Sequence, residues 1–285
     1  LGPDHRDTLT ARNNLASTYK AAGDLGHAIP LHKRVLADIE RLFGPDHQET
    51  VAARNNLATA YQEAGELGRA IPLFEQTLAD SERTLGSHHP KTLTARNNVA
   101  YVRRLSGDLG RALPMFKQIL EDSQRSLGPD HPDTLVTQIN LAGVYREAGD
   151  PSRAIPLLER LVADCERILG PDRRHTRVAR AELALAYRLS GDLPNAVSQF
   201  EQYIADCERA FGPDHPETLT ARSNLAVVLE AAGDPGRAIP LLEQALIGFE
   251  RIHGSDHPRT LATLGSFGAT LASAGDFTRA TAILE

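Results

Sequence analysis

Two hundred and eighty-five residues, 41 % apolar and 24 % charged, make an ordinary water-compatible chain, and no run approaches the ~20 apolar residues that a membrane span needs. A net charge of -6, with Arg and Lys interspersed among Asp and Glu, argues against nucleic acid, whose phosphates call for a basic stripe. The only cysteines, Cys165 and Cys207, are too few for a disulfide-stapled secreted scaffold and suit a reducing cytoplasm.

The chain opens at Leu1 without an initiator Met or a signal-peptide pattern, and reads as a piece excised from a longer protein. From Thr8 to Asp24, TLTARNNLASTYKAAGD places Leu9, Leu15, Ala16, Tyr19 and Ala22 along one helical face and closes on the breaker Gly23. Here this segment is termed helix A, with Thr8 or Asp7 as its expected N-cap. After Asp24, a good N-cap, LGHAIPLHKRVLADIERLF aligns Ala28, Ile29, Val35, Leu36, Ile39 and Leu42 on an apolar stripe ending at Gly44. That is helix B. Pro30, Pro72, Pro114, Pro156 and Pro240 fall about five residues into the B segments, where a lost backbone donor predicts a bend or a late helix start.

The Leu-Gly-Pro-Asp-His segment then returns, its glycine at Gly2, Gly44, Gly86, Gly128, Gly170, Gly212 and Gly254, always 42 residues apart. A fixed period of this length means stacked supersecondary units, each burying its apolar face against the next. The units run about 1–43, 44–85, 86–127, 128–169, 170–211, 212–253 and a short seventh, 254–285, which leaves no room for a separate catalytic domain. No segment alternates with period two, so the expectation is a single all-α array over 1–285 with 13 or 14 helices.

Leu15, Ala16, Tyr19, Gly23, Ala28 and the bulky site of Phe74, Phe116 and Phe200 resemble the tetratricopeptide repeat signature. The 42-residue unit, with NNLA in helix A, AIPL in helix B and LGPDHP between units, is most similar to kinesin-light-chain repeats and their bacterial, especially actinobacterial, relatives. HEAT and armadillo repeats share the period, but the small residues at Ala16 and Ala28 favour the tetratricopeptide reading. The resemblance implies a right-handed superhelical solenoid of antiparallel helix pairs whose A helices line a concave groove for a protein or peptide segment. Similar bacterial arrays sit beside signalling ATPases, which implies a sensor or regulatory role and an intramolecular partner in a longer parent chain. No phosphate-binding glycine loop followed by Lys and Ser or Thr occurs here.

The recurring Asp-His pairs, such as Asp4-His5 and Asp46-His47, invite a metal reading. Packed helices hold equivalent loops ~8–10 Å apart, far beyond the ~2.0–2.2 Å of a ligand bond, so capping explains these pairs better and no metal or cofactor is expected. Cys165 and Cys207 occupy equivalent places in adjacent units, too far apart to bridge, and read as packing residues. The recurring arginines Arg12, Arg54, Arg96, Arg180 and Arg222, with Asp38, Asp80, Asp122, Asp164 and Asp206, read as ion-pair ladders. No nucleophile, base and orienting group converge within a unit, so a non-enzymatic protein is expected.

The polar side of helix A carries the expected peptide-binding groove: Asn13 and Asn14, Asn55 and Asn56, Asn97, Asn98 and Tyr101, then Ile139 and Asn140, then Leu185. Amide side chains offer both donors and acceptors to an extended backbone, although one Asn of each pair would serve equally to brace neighbouring A helices. Arg104, Arg146 and Arg188 recur near the end of helix A and imply a positive strip suited to an acidic, apolar segment; pairing with Glu147 and Glu182 is their bland alternative. Leu271, Ile283 and Leu284 are expected to be exposed at the end of the array and to support weak end-to-end self-association, the structural alternative to groove binding.

Overall fold

A computed structural model describes residue 2 and residues 4–284, for Leu284 the backbone alone. Every element among these residues is a helix. The A helices are α1 (Arg6–Ala21), α3 (Gln48–Glu63), α5 (Pro90–Leu105), α7 (Pro132–Glu147), α9 (Arg174–Ser190), α11 (Pro216–Ala231) and α13 (Pro258–Ser273). The B helices are α2 (Leu25–Phe43), α4 (Leu67–Leu85), α6 (Leu109–Ser126), α8 (Pro151–Ile168), α10 (Leu193–Phe211), α12 (Pro235–His253) and α14 (Phe277–Leu284). They follow one another as antiparallel pairs. The chain forms two compact units, one ending at Val144 and the other beginning at Tyr145, so the division falls within α7.

Each turn is built from the same few groups. Gly23 and Gly44 take φ of 78° and 87°, a left-handed region open to glycine without steric cost, and let the chain reverse after each helix. Helix A is capped neither by Thr8 nor by Asp7 but by His5, whose Nδ1 accepts from the Asp7 N–H at 3.2 Å; His47, His89, His131, His215 and His257 repeat this bond. The bond needs the neutral ring with its proton on Nε2. The threonine expected as a cap turns instead to the preceding loop, where Thr50 Oγ1 donates to the Gly44 carbonyl at 2.6 Å. Asp46 of the same loop pairs with Arg83 near the end of the helix B that follows, as Asp4 does with Arg41.

Helix B begins at its aspartate, except in the second repeat, where Glu66 makes no side-chain cap bond. Asp24 accepts from the His27 N–H, and α2 runs unbroken from Leu25 through Pro30 to Phe43, so the late start expected from the proline does not occur. Pro30 is the sixth residue of the helix, past the N–H groups that lack intrahelical partners, since the Ala28 N–H already bonds the Asp24 carbonyl; the ring forgoes one bond, to Gly26, without interrupting the helix.

In the first unit, Leu57, Ala58, Tyr61, Ala70, Phe74, Val99 and Val102 form one buried cluster that links α3, α4 and α5. Leu9, Val35, Ile39 and Ala53 do the same for α1, α2 and α3. The apolar face proposed for α1 is only partly inside: Leu9 and Ala16 are buried, whereas Leu15 is 48 % exposed and Ala22 lies at the surface. No described helix packs on the outer side of α1, whereas later A helices bury the same column at Leu57 and Val99. In the second unit Leu219, Ala245 and Phe249 join α11 to α12. Leu271 is fully buried, contrary to the expected exposure, because α13 packs on both α12 and α14; Ile283 is half-buried, and the side chain of Leu284 lies outside the described residues.

Recurring Arg–Asp pairs tie four of the A helices to their own helix B at a spacing of 26 residues: Arg12 to Asp38 at 3.1 Å, Arg54 to Asp80, Arg96 to Asp122 at 3.2 Å and Arg180 to Asp206 at 2.9 Å; in the fourth repeat Gln138 takes the arginine's place. In the sixth repeat Gly248 stands where the aspartate would be, and Leu219 fills the space of its missing side chain. Arg222 turns there to the Pro213 carbonyl and to Glu208.

Candidate binding surface on the A helices

Neighbouring A helices meet along a polar seam. From α1 to α3, Arg6 bonds Glu49, Asn56 Nδ2 donates to Asn13 Oδ1 at 3.2 Å, and Lys20 Nζ donates to Glu63 Oε1 at 3.0 Å. The partners lie 43 residues apart and the rungs seven residues apart, two helical turns along each helix. Asn98 Nδ2 continues the pattern by donating to Asn55 Oδ1 at 3.1 Å. One member of each amide pair thus braces the next helix. Asn14 is exposed, and Asn55, Asn97 and Asn98 are half-buried.

The ladder changes where α5 meets α7. Asn140 is buried and its Oδ1 faces Arg104 Nη1 at 3.5 Å, while Asn97 Oδ1 is shielded from solvent and accepts no hydrogen bond. Arg104 is itself 9 % exposed, its guanidinium lying over Gly143 in space that any Cβ would claim. Ile139 is buried and Tyr101 half-buried. In the second unit, Arg146 donates through Nε to Glu182 at 2.7 Å and through Nη2 to Glu147 at 3.1 Å. Of the three arginines expected to form a strip, only Arg188 is exposed, with half-buried Leu185 one turn before it.

Two recesses open along these seams in the first unit. The larger, about 220 Å³, lies between α1 and α3, with Leu9, Ile39, Ala52 and Ala53 as apolar lining, Asn13 and Asn56 on its polar side, and Arg6 and Glu49 at its rim. The smaller, about 40 Å³, lies at the corresponding place among α5, α6 and α7.

A group that reading by motif misses lies at the matching place in the second unit. Arg177 occupies the column held by Leu9, Val51, Leu93, Leu135, Leu219 and Leu261, and is 5 % exposed. Its guanidinium stacks on Phe211 at 4.5 Å, donates to the Asp172 carbonyl at 2.5 Å and approaches Glu217 at 3.9 Å. Tyr203 donates to the same carboxylate at 3.1 Å, and burial, with Cys207 and Glu217 beside it, pushes the phenol above its ordinary range. Cys165 and Cys207 are buried and unbridged, and burial pushes both thiols up to about 11. The recognisable signal was one charged residue in an otherwise apolar column.

Among the described residues, no group of three or more His, Cys, Asp and Glu is placed to hold a metal ion, and no helix is long and apolar enough to cross a membrane. What the geometry presents, within each unit, is A helices side by side with polar seams, and in the first unit side-chain-sized recesses between them.

The tetratricopeptide repeat model matches residues 7–83, 67–124, 94–166 and 178–246, and the chain belongs to that family. No curated protein matches it in sequence. Among solved structures it is similar to the nearly identical TPR-like repeats of a Podosopora anserina protein assigned as a kinesin light chain, at 28 % identity and a TM-score of 0.59 over 73 % of this chain and 98 % of that one. BtubC from P. vanneervenii shares 20 % identity over 82 % of this chain and 94 % of its own, with a TM-score of 0.66. A Signal Transduction ATPase with Numerous Domains from Pyrococcus horikoshii, with a tetratricopeptide repeat sensor, aligns at 17 % identity and a TM-score of 0.67 over 98 % of this chain and 41 % of that one. At these last two identities the likeness is one of fold.

Proposed function

We propose that the protein is a non-catalytic binding scaffold that holds an extended segment of another protein, or of its own longer chain, across the A-helix face. The observation that carries this reading is the recess of about 220 Å³ between α1 and α3, whose apolar lining and amide side suit an apolar side chain and the backbone beside it. The sensor of the Pyrococcus protein is a tetratricopeptide repeat region, which supports the regulatory form of the reading. Two unbridged cysteines support a reducing compartment as its setting.

The segment that fits best combines bulky apolar with acidic residues. Arg104 and Arg146 already have partners within the chain, so attraction for carboxylates rests on exposed Arg188, with Leu185 and exposed Leu189 beside it. The test is calorimetric titration of an acidic, apolar peptide library. Ala52→Trp, at an exposed lining position, should abolish binding at the first-unit recess by filling it, and Arg188→Glu should separately remove the preference for acidic members at the second unit. Unchanged affinity in a folded Ala52→Trp variant defeats the reading.

Weak self-association is the second reading, favoured by Ile247, Leu261 and Phe277, which are 61 %, 51 % and 67 % exposed in the second unit. Light scattering that shows a monomer at millimolar concentration removes it.

A further inference from the structure

We propose that the recess among α5, α6 and α7 receives a cationic side chain, the ammonium of a lysine carried by the bound segment; this rests on the A-helix face being the binding face. The recess is about 40 Å³, and it is lined by Leu93, Ile119, Leu127 and Val136 on its apolar side and by Asn97 and Asp133 among its polar groups. A water occupies ~30 Å³ of liquid, so this volume matches a small polar head. The polar groups are predominantly acceptors. Asn97 lines the recess, and its Oδ1 accepts no hydrogen bond but is closed to water, so it engages a ligand only after the amide turns; Asp133 supplies an exposed carboxylate. Thr94 and Thr137 also line the recess, and each spends its hydroxyl proton on a carbonyl four residues back, leaving only lone pairs to offer. Three hydrogens on an ammonium suit such a lining, and the lysine stem suits the apolar wall.

A second, independent observation is that the chain fills the homologous place in its other unit with a cation of its own. Two repeats on, or 84 residues, Leu93 becomes Arg177, Ile119 becomes Tyr203, Ser123 becomes Cys207, Leu127 becomes Phe211 and Asp133 becomes Glu217. There the buried Arg177 guanidinium approaches the Glu217 carboxylate at 3.9 Å and covers the Phe211 ring. At the α5–α7 seam the acidic residue is retained but the internal cation is a leucine. Among the described residues the recess lining includes no Arg or Lys, and His131, 3.9 Å from the Asp133 carboxylate, uses its Nδ1 to accept the Asp133 N–H.

The experiment titrates the full chain with n-butylammonium chloride, using n-butanol as the neutral control, and follows the amide signals of Asn97, Thr94 and Thr137 by NMR. Saturable shifts with the amine and none with the alcohol are expected. Asp133→Asn, a conservative change at an exposed first-turn residue, should weaken binding about tenfold, as loss of a charge-assisted contact does. Leu93→Arg, which supplies the cation internally, should abolish it. If Leu93→Arg does not fold, Asp133→Asn decides alone. Absence of saturable shifts, an equal response to butanol or unchanged affinity in Asp133→Asn overturns the assignment. Lysine-containing peptides that bind no better than their norleucine counterparts overturn the partner's lysine as the source. Peptide capture without amine binding leaves the scaffold reading standing and removes this one.

Discussion

Arg104 and Gly143 occupy one space: the guanidinium from α5 lies where a side chain on α7 would begin. Other repeats place Ser17, Thr59, Tyr101, Leu185 or Val227 in the column of Gly143, so this seam has exchanged a side chain for an arginine. Gly143→Ala should therefore displace Arg104 and destabilise the protein by about 1 kcal/mol, despite the ~1 kcal/mol that alanine gains over glycine within a helix. In an Arg104→Ala background the same change should stabilise. A double-mutant cycle by urea denaturation reads the coupling, and additive effects contradict the shared space.

Arg54 is 2 % exposed and pairs with Asp80, whereas the equivalent Arg12 and Asp38 are each about one quarter exposed. Removing one partner of a buried pair leaves an uncompensated charge, so Asp80→Ala should cost ~3 kcal/mol and Asp38→Ala under ~1 kcal/mol. Equal costs in chemical denaturation would show that burial does not set the strength of this ladder.

His32 replaces the bulky residue held elsewhere by Phe74, Phe116 and Phe200, and is 1 % exposed with both ring nitrogens unbonded. Burial, reinforced by Lys20 and opposed by Glu63, holds its pKa below the ordinary 6.5. A base with a depressed native pKa takes its proton more readily when unfolded. Stability around α1 and α2 should therefore be full above pH 6.5 and fall as pH drops below it, by up to ~1.4 kcal/mol per unit until the folded ring also protonates. Hydrogen exchange at pH 7.5 and 5.5 should show this loss, and His32→Phe should remove it.

Cys165 and Cys207 are buried, with thiols raised to about 11. Nucleophilicity belongs to the thiolate, so at pH 8 neither should react with a disulfide reagent until denaturant opens the second unit. Titration of either thiol in the native protein, with helicity retained, would contradict that burial.

The fold was legible because glycine, proline and aspartate punctuate the sequence at fixed offsets and the apolar stripe of helix B repeats almost unchanged. Less legible were features that need two chain segments at once. Asn13 and Asn56, or Lys20 and Glu63, become rungs only when A helices lie side by side, so their spacing of 43 residues had no meaning beforehand. A capping role for the Asp-His loops was legible, but not which residue caps, because aspartate, histidine and threonine compete in the same loop and only its geometry turns Thr50 towards Gly44 and leaves His47 on the helix. The arginine column was legible only as two alternatives: Arg104, Arg146 and Arg188 are equivalent by spacing, but Gly143 leaves room for the first to turn inward and Glu182 and Glu147 engage the second, as the pairing alternative has it.

The thirteen left-handed glycines among the described residues fall every 21 positions, giving helix A and helix B equal lengths of chain. Their turns are nevertheless different: one is followed by an aspartate that caps helix B, the other by the histidine that caps helix A. At the level of the gene, an unequal crossover displaced by 42 codons would insert or delete a whole helix pair and rebuild every cap and loop contact at the join. A crossover displaced by 21 codons keeps the reading frame and the glycine step but sets an A segment where a B segment belongs, without the aspartate its arginine needs. A change in copy number that keeps every cap and loop contact is therefore a change by whole repeats, and the seams are where repeats can differ, as Arg177 differs from the leucines and valine of its column.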